Sequence, residues 1–292
     1  MQEELVLHPI GVVHSPITDR RLMPAGGVPA EIEIFPAYRD GLLHIEENTH
    51  IWVIGWFTAS DRQRLQVVRP GYDPERRQRG VFGLRSVARP NPLALTATRL
   101  ITVHDGVLHV DPLDLIDGTP VVDLKRYSPS IDCIFAARSS RDRFSFDVMT
   151  PEWLSEFEAE AANFHGERCP AVVVAARLVQ YVATCWQVRP KDERLQLVVG
   201  NQPALGHLVD ALQALTGATF GSGRLIVDPE QQIAFRYDAR MLKAVPRPLP
   251  TADLALLRRC PLETLVMLDD NAALLPTEGA HGTDQRDSAP QQ

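Results

Sequence analysis

The chain has 292 residues, 45% of them apolar, and a formal net charge of −7. That length is more than one hydrophobic core ordinarily fills, so two domains are expected. With 17 basic against 19 acidic groups in residues 1–150, and 13 against 18 in the rest, neither half binds polyanions by bulk charge. Four cysteines (Cys133, Cys169, Cys185, Cys260) form no C-x-x-C pair, which argues against a disulfide framework or a zinc ribbon. The acidic start M-Q-E-E is unlike a signal peptide, and no apolar run reaches the roughly 18 residues of a membrane helix. A cytoplasmic protein with no membrane partner is therefore expected.

In chain order, residues 5–13 read as a strand, followed by a turn at Ser15-Pro16 and a Gly/Pro loop from Met23 to Pro29. Glu31 to Phe35 alternates polar and apolar, as a half-buried strand does. Ile51 to Phe57 (I-W-V-I-G-W-F) is a β-branched and aromatic run suited to a central strand. Leu65–Val68, Val81–Leu84, Leu95–Val103 and Val107–Val110 are further strand candidates, with a hairpin turn at His104-Asp105-Gly106. Short strands at this spacing predict a small all-β barrel over residues 1–147. Thr150, Pro151 and Glu152 then carry a helix-start signature. Ala171–Val188 and Pro203–Leu215 read as helices; Leu195–Val199, Leu225–Val227 and Ile233–Tyr237 read as strands. Ala252 to Met267 is expected to form a helix and a last strand. Alternating helices and strands give residues 150–272 an α+β domain. Residues 273–292, almost without apolar side chains, are expected to be disordered.

The stretch Gly80 to Pro92 (G-V-F-G-L-R-S-V-A-R-P-N-P) concentrates polar chemistry. Pro90 and Pro92 keep Arg85 and Arg89 off a common helix face, so a rigid loop is expected to present two guanidiniums and the Asn91 amide. Guanidinium forks suit carboxylates, phosphates and ribose oxygens. Eight arginines lie between Arg62 and Arg89 against only Asp73 and Glu75, a landing zone for phosphates. Asp117-Gly118 is a turn pair whose carboxylate is placed to accept hydrogen bonds. Trp52, Trp56 and Phe57 are candidate apolar walls.

Three segments together carry a resemblance: I-G-V-V-H-S-P at 10–16, the Gly80–Pro92 loop, and L-D-L-I-D-G-T-P-V-V-D-L-K-R-Y at 113–127. Residues 5–135 resemble the TsaA-like family, best known as S-adenosylmethionine-dependent tRNA methyltransferases that act on the exocyclic amine of threonylcarbamoyl-adenosine beside the anticodon. The resemblance implies a dimerising β-barrel that is not of Rossmann type. It also implies cofactor contacts from Pro24, Ala25, Gly26, Phe57, Thr58, Arg85, Ser86, Arg89, Asn91, Leu115, Asp117, Gly118 and Thr119. Substrate contacts are implied for Asp123, Lys125 and Tyr127. Thr58 stands where the family often has His, and Gly26 where it has Gln.

F-H-G-E-R-C-P at 164–170 and L-T-G-A-T-F-G-S-G-R-L at 215–225 resemble the FmdE-like family, associated with formylmethanofuran dehydrogenase, whose metal site uses a second His and further cysteines. Glu167 replaces that His here. His165 and Cys169, four apart at a helix entry, are the candidate ligands for a divalent metal, with Glu167 or His207 as added donors. The function expected is methyl transfer from S-adenosylmethionine to tRNA. A small-molecule or metal-associated acceptor chosen by the second domain, or a non-catalytic cofactor or metal sensor, are the alternatives.

Overall fold

The computed structural model describes residues 6–24, 26–68, 77–135, 137 and 151–270. Ala25, Thr150 and the tail expected to be disordered lie outside them. The chain divides into two compact units, Met1–Ala159 and Glu160–Gln292.

The first unit is a closed barrel. Its strands are β1 (Gly11–His14), β2 (Val28–Ile34), β3 (His50–Trp56), β6 (Leu93–His104), β7 (Val107–Leu113) and β8 (Pro120–Arg126). They run in the order β1-β2-β7-β6-β3-β8, and β8 closes onto β1. A separate ribbon pairs β4 (Gln66–Val68) with β5 (Gln78–Gly80). The alternation foreseen at 31–35 is realised in β2. Ala30, Ile32 and Ile34 point inward, while Glu31 and Glu33 face out and meet His109 and His14 on the neighbouring strands. Ile51, Val53, Leu108, Leu113 and Val121 complete a core from which water is excluded. The hairpin between β6 and β7 turns at Asp105 (φ 51°) and Gly106 (φ 81°), the pair of left-handed residues that a two-residue hairpin loop requires.

One strand expectation fails. Val81 to Gly83 is a 3-10 turn, and the strand lies at Gln78–Gly80. The Val81 and Leu84 carbonyls are drawn to the Arg89 guanidinium, which bends the chain out of an extended course.

The second unit combines helices with a mixed sheet, as expected of an α+β domain. The sheet comprises β9 (Gln196–Val199), β10 (Leu225–Val227), β11 (Ile233–Tyr237), β12 (Arg240–Pro246) and β13 (Val266–Asp269), in the order β10-β9-β11-β12-β13. Only the β10–β9 pairing is parallel. After the single turn α1 (Pro129–Asp132) of the first unit come α2 (Pro151–His165), α3 (Pro170–Trp186) and α4 (Gly206–Thr216). The short helices α5 (Leu254–Arg259) and α6 (Leu262–Leu265) follow. The apolar helix α3 packs against α4 and α5 and buries Val172, Val173, Leu178, Val179 and Val182. Pro170 opens it and Gln187, left-handed at φ 53°, closes it. The helix expected from Pro203 begins as a 3-10 turn, Pro203–Leu205, before α4.

Candidate functional site

The antiparallel pairings settle which loops share an end of the barrel. His14, at the end of β1, lies opposite Glu31 near the start of β2, and Val28 lies opposite Leu113, the last residue of β7. Trp56 at the end of β3 pairs with Leu93 at the start of β6. Val121 in β8 pairs with both Gly55 and Gly11. One rim therefore carries the β1–β2 loop, the connection from β3 through the ribbon to β6, and the β7–β8 turn. These are the places of all three sequence segments singled out above.

Backbone bonds lock two of the segments together. Asp117 N–H donates to the Ile17 carbonyl (2.8 Å), Gly118 N–H to Val13 (2.9 Å), and Val13 N–H to Thr119 (3.0 Å). Asp117 Oδ1 accepts from the Ser15 N–H at 3.1 Å. Gly118 is left-handed at φ 74°, which allows so tight a turn. Thr119 is buried and donates its hydroxyl to the Ile116 carbonyl (2.7 Å), while Leu115 points into the core. Gly55 permits this approach: a Cβ there would stand 3.1 Å from Leu115 Cδ1 and 3.3 Å from Thr119 Cγ2. Pro24 and Gly26 lie in the β1–β2 loop, where the Gly27 N–H closes a turn onto the Pro24 carbonyl (2.9 Å). Gly27 presses on the Leu113 backbone.

The third segment meets the same rim. Phe57 N–H donates to the Pro92 carbonyl (2.8 Å), and Leu93 N–H to Asn91 (2.8 Å). The exposed Thr58 follows directly. The two arginines divide their roles. Arg89 donates Nε to the Ser86 carbonyl (2.8 Å) and a terminal nitrogen to Val81 (3.0 Å) and Leu84 (2.6 Å), all within its own loop. Arg85 is exposed; it reaches the Leu95 carbonyl (2.9 Å) and lies over the Trp52 ring at 6.0 Å. So Arg89 holds the loop's shape, and Arg85 belongs to the outer wall of β3 and β6.

That wall also carries the implied substrate residues. Asp123 and Lys125 stand opposite Ile54 and Trp52 and pair with each other at 2.7 Å. The Tyr127 ring lies 5.6 Å from Trp52. Burial, with Cys133 and Asp132 nearby, pushes the Tyr127 phenol up, so it stays a donor at neutral pH. Sequence reasoning placed Arg62 in the arginine run but missed its contacts: it lies over Trp56 at 5.6 Å and bonds the Pro90 carbonyl (3.0 Å). It also missed Ser60, bonded to Val87 (2.6 Å), and Thr96, bonded to Asp114 (2.5 Å). The Arg62 partner is a backbone carbonyl that only the folded loop presents.

In the second unit His165 and Cys169 come together with Glu167 and His207, all four donor atoms lying within 4.8 Å of one another. Asp210, one turn beyond His207 on α4, reaches His165 Nδ1 at 3.2 Å. No sequence signal linked Asp210 to a residue 45 positions away.

The strand order and pairings define the class of fold: a closed, antiparallel, non-Rossmann barrel with its polar loops gathered at one end. The family profile described as "tRNA-methyltransferase O N-terminal domain" matches residues 12–133, and "FmdE, Molybdenum formylmethanofuran dehydrogenase operon" matches residues 164–247. An "S-adenosyl-L-methionine-binding protein" of Archaeoglobus fulgidus is 44% identical over 134 residues, covering 44% of this chain and 94% of that protein. A second protein of that archaeon, named "Probable S-adenosyl-L-methionine-binding protein", is 34% identical over 229 residues. That match covers 75% of this chain and 60% of the relative's length. A crystal structure of TrmO is 27% identical, covering 48% of this chain and 62% of the other, with a TM-score of 0.40. The chain belongs to the tRNA-methyltransferase O family through its barrel. Among the described residues no helix is long and apolar enough to cross a membrane.

Proposed function

We propose that this chain methylates tRNA at the exocyclic amine of threonylcarbamoyl-adenosine beside the anticodon, with S-adenosylmethionine as donor. The observation that carries the reading is the convergence of the three segments on one rim. The donor's chemistry fits what lies there. A carboxylate (Asp117), the Thr119 hydroxyl and the backbone of two interlocked turns offer acceptors for ammonium and ribose groups. Phe57 and Trp56 offer an apolar surface for a purine. Bound there, the sulfonium would supply an activated methyl group, whose transfer depends on in-line placement of the acceptor more than on acid–base help.

The residues present divide that work. Pro24, Gly26, Phe57, Thr58, Ser86, Asn91, Asp117, Gly118 and Thr119 hold the cofactor by loop backbone and side chain, Leu115 anchors the Asp117 turn from within the core, and Arg89 keeps the Asn91 loop in the shape that does so. Ala25, in the same loop by sequence, lies outside the described residues. Arg85, Asp123, Lys125 and Tyr127 form an acceptor-facing wall; its guanidinium and ammonium suit phosphate and its Trp52 and Tyr127 rings suit a stacked base. The exposed apolar side chains of β6, Leu93, Leu95 and Ile101, support a homodimer that covers them. Four free cysteines fit a cytoplasmic setting.

Methyl incorporation from labelled S-adenosylmethionine tests the assignment. Bulk tRNA from cells lacking the modification should be labelled by the full chain and not by an Asp117→Ala, Thr119→Val variant. Label entering only a small-molecule extract would replace the tRNA acceptor. Failure of calorimetry to detect cofactor binding by folded protein would end the reading.

A further inference from the structure

We propose that a cleft at the β11–β12 hairpin of the second unit binds a small phosphate monoester, held by Arg194, Arg236 and Arg240. The cleft lies wholly within that unit, and the proposal is independent of methyl transfer at the barrel.

The sequence of β11 prepares the cleft. In I-A-F-R-Y at 233–237, successive side chains take opposite faces of the sheet. Phe235 is fully buried on one face, and the half-buried Arg236 takes the other. Register sets Gln196 of β9 and Met241 of β12 on either side of Arg236, and directly paired residues share a face. Three neighbouring strands therefore contribute to the lining. Tyr237 and Arg240 form the last pair before the turn, in which Asp238 is left-handed at φ 52°. Arg194, just ahead of β9, reaches this end of the sheet. Its guanidinium lies 4.5 Å from the centre of the Tyr237 ring and 3.2 Å from Asp238. The cleft encloses about 260 Å³. Pockets for drug-sized ligands hold roughly 300–1,000 Å³, so the organic part of a ligand here must be small.

Charge decides the class of ligand. Three guanidiniums line the cleft against the single carboxylate of Asp238, a surplus of two positive charges. Asp192 also approaches Arg194, at 3.4 Å, but lies outside the lining. A phosphate monoester carries about −1.5 to −2 near neutral pH, with three strong acceptor oxygens, and so balances the lining. A lone carboxylate balances half of it.

Arg236 lacks a counter-charge. Its Nε is buried with no hydrogen-bond partner, and the residue forms no ion pair among the described residues. A buried charged donor left in that state is costly, and an oxyanion in the cleft compensates it. The other two arginines are only partly engaged. Arg240 is exposed and donates to the Trp186 carbonyl at 3.3 Å, and Arg194 donates one terminal nitrogen to the Tyr237 hydroxyl. Each keeps further N–H groups, in the planar fork that suits phosphate oxygens. The Met241 side chain and the Tyr237 ring give the organic part an apolar contact.

Equilibrium dialysis of the full chain against radiolabelled inorganic phosphate tests the site. Binding should saturate at one phosphate per chain. Glycerol phosphate should compete for it, and acetate at the same concentration should not. Arg236→Gln and Arg240→Gln should each weaken binding by about 10–100-fold, the loss expected for a charged hydrogen-bond donor. Arg259→Gln, altered at an exposed arginine of α5 outside the cleft, should leave it unchanged. Should Arg236→Gln fail to fold, Arg240→Gln and Arg194→Gln, both altered at exposed side chains, serve instead. Folded protein that binds no phosphate overturns the proposal. So does acetate that displaces phosphate as well as the monoester does, or phosphate binding that falls as far in Arg259→Gln as in the cleft variants.

Discussion

Arg89 distinguishes a loop clasp from a ligand hook, and its removal separates the two. Its guanidinium donates to the carbonyls of Ser86, Val81 and Leu84 and so closes residues 81–89 into a ring of contacts. Hydrogen bonds from a charged donor contribute about 1.5–3 kcal/mol each, less where water can replace the donor. The loop is half-buried, so Arg89→Ala should cost it about 2–4 kcal/mol in total rather than the full sum. If cofactor binding requires the ordered loop, that energy is subtracted from affinity at 1.4 kcal/mol per factor of ten, a loss of roughly 30- to 1,000-fold. Global stability should hardly move, because the loop opens locally while the barrel stays closed. Calorimetric titration with S-adenosylmethionine gives the affinity, and hydrogen exchange over residues 81–92 gives the order of the loop. Arg89→Lys, with a single ammonium in place of a planar fork, should recover only part of both. Arg85→Ala should leave the loop amides protected, because its bond runs to Leu95 outside the ring. An Arg89→Ala protein whose loop amides exchange at the wild-type rate refutes the clasp, whatever the affinity does.

Ile51, with no exposed surface at the centre of the barrel, should cost about 2–5 kcal/mol when cut to alanine, read from urea unfolding, with cofactor affinity kept in the fraction that stays folded. Gly27→Ala places a Cβ 2.7 Å from the Leu113 backbone at a φ of 75°; a loss of about 1–3 kcal/mol is expected, with weakened cofactor binding from the displaced β1–β2 loop. Burial, and then Arg99 opposite on β6, hold the His50 imidazole below its ordinary value of 6.5. The fold therefore favours the neutral ring: its contribution is complete above pH 6.5 and is lost as pH falls through the depressed folded value. Thermal melts from about pH 7.5 to about pH 5 should show that decline, and His50→Gln should flatten it.

Much of the barrel was legible because its strands state their own period. E-I-E-I at 31–34 and W-V-I at 52–54 alternate faces, and the Asp105-Gly106 pair fixes a hairpin by local chemistry alone. The rim was legible only as three motifs with no address. Their meeting depends on β7 lying between β2 and β6, and on β8 reaching across to β1, pairings between segments up to about a hundred residues apart that no local pattern encodes. The partners of Arg89 were unreadable for a related reason. Its partners are carbonyls, which every residue has, so nothing in the sequence marks which three a loop will turn toward one guanidinium. His165 and Cys169 show the opposite case: they stood out by type and spacing, while Asp210 reaches His165 from a helix whose approach only the fold supplies.

These differences bear on how the site can change without loss of the barrel. The core residues Ile32, Ile51, Val53, Leu108 and Val121 alternate with outward side chains, so each strand serves the core with one face and the wall with the other. The rim loops hang from strand ends and draw their order from bonds among themselves: Asp117 to Ser15, Arg89 to its own loop, Phe57 to Pro92. Residues such as Thr58 and Gly26 fall in these loops and not in the core. They can alter what the rim accepts while the barrel's stability stays untouched. A change of acceptor would then appear as altered specificity in a protein that melts at an unaltered temperature. Core truncations such as Ile51→Ala predict the reverse pairing of effects, and finding both effects in one class of variant would show that rim and core are not separable.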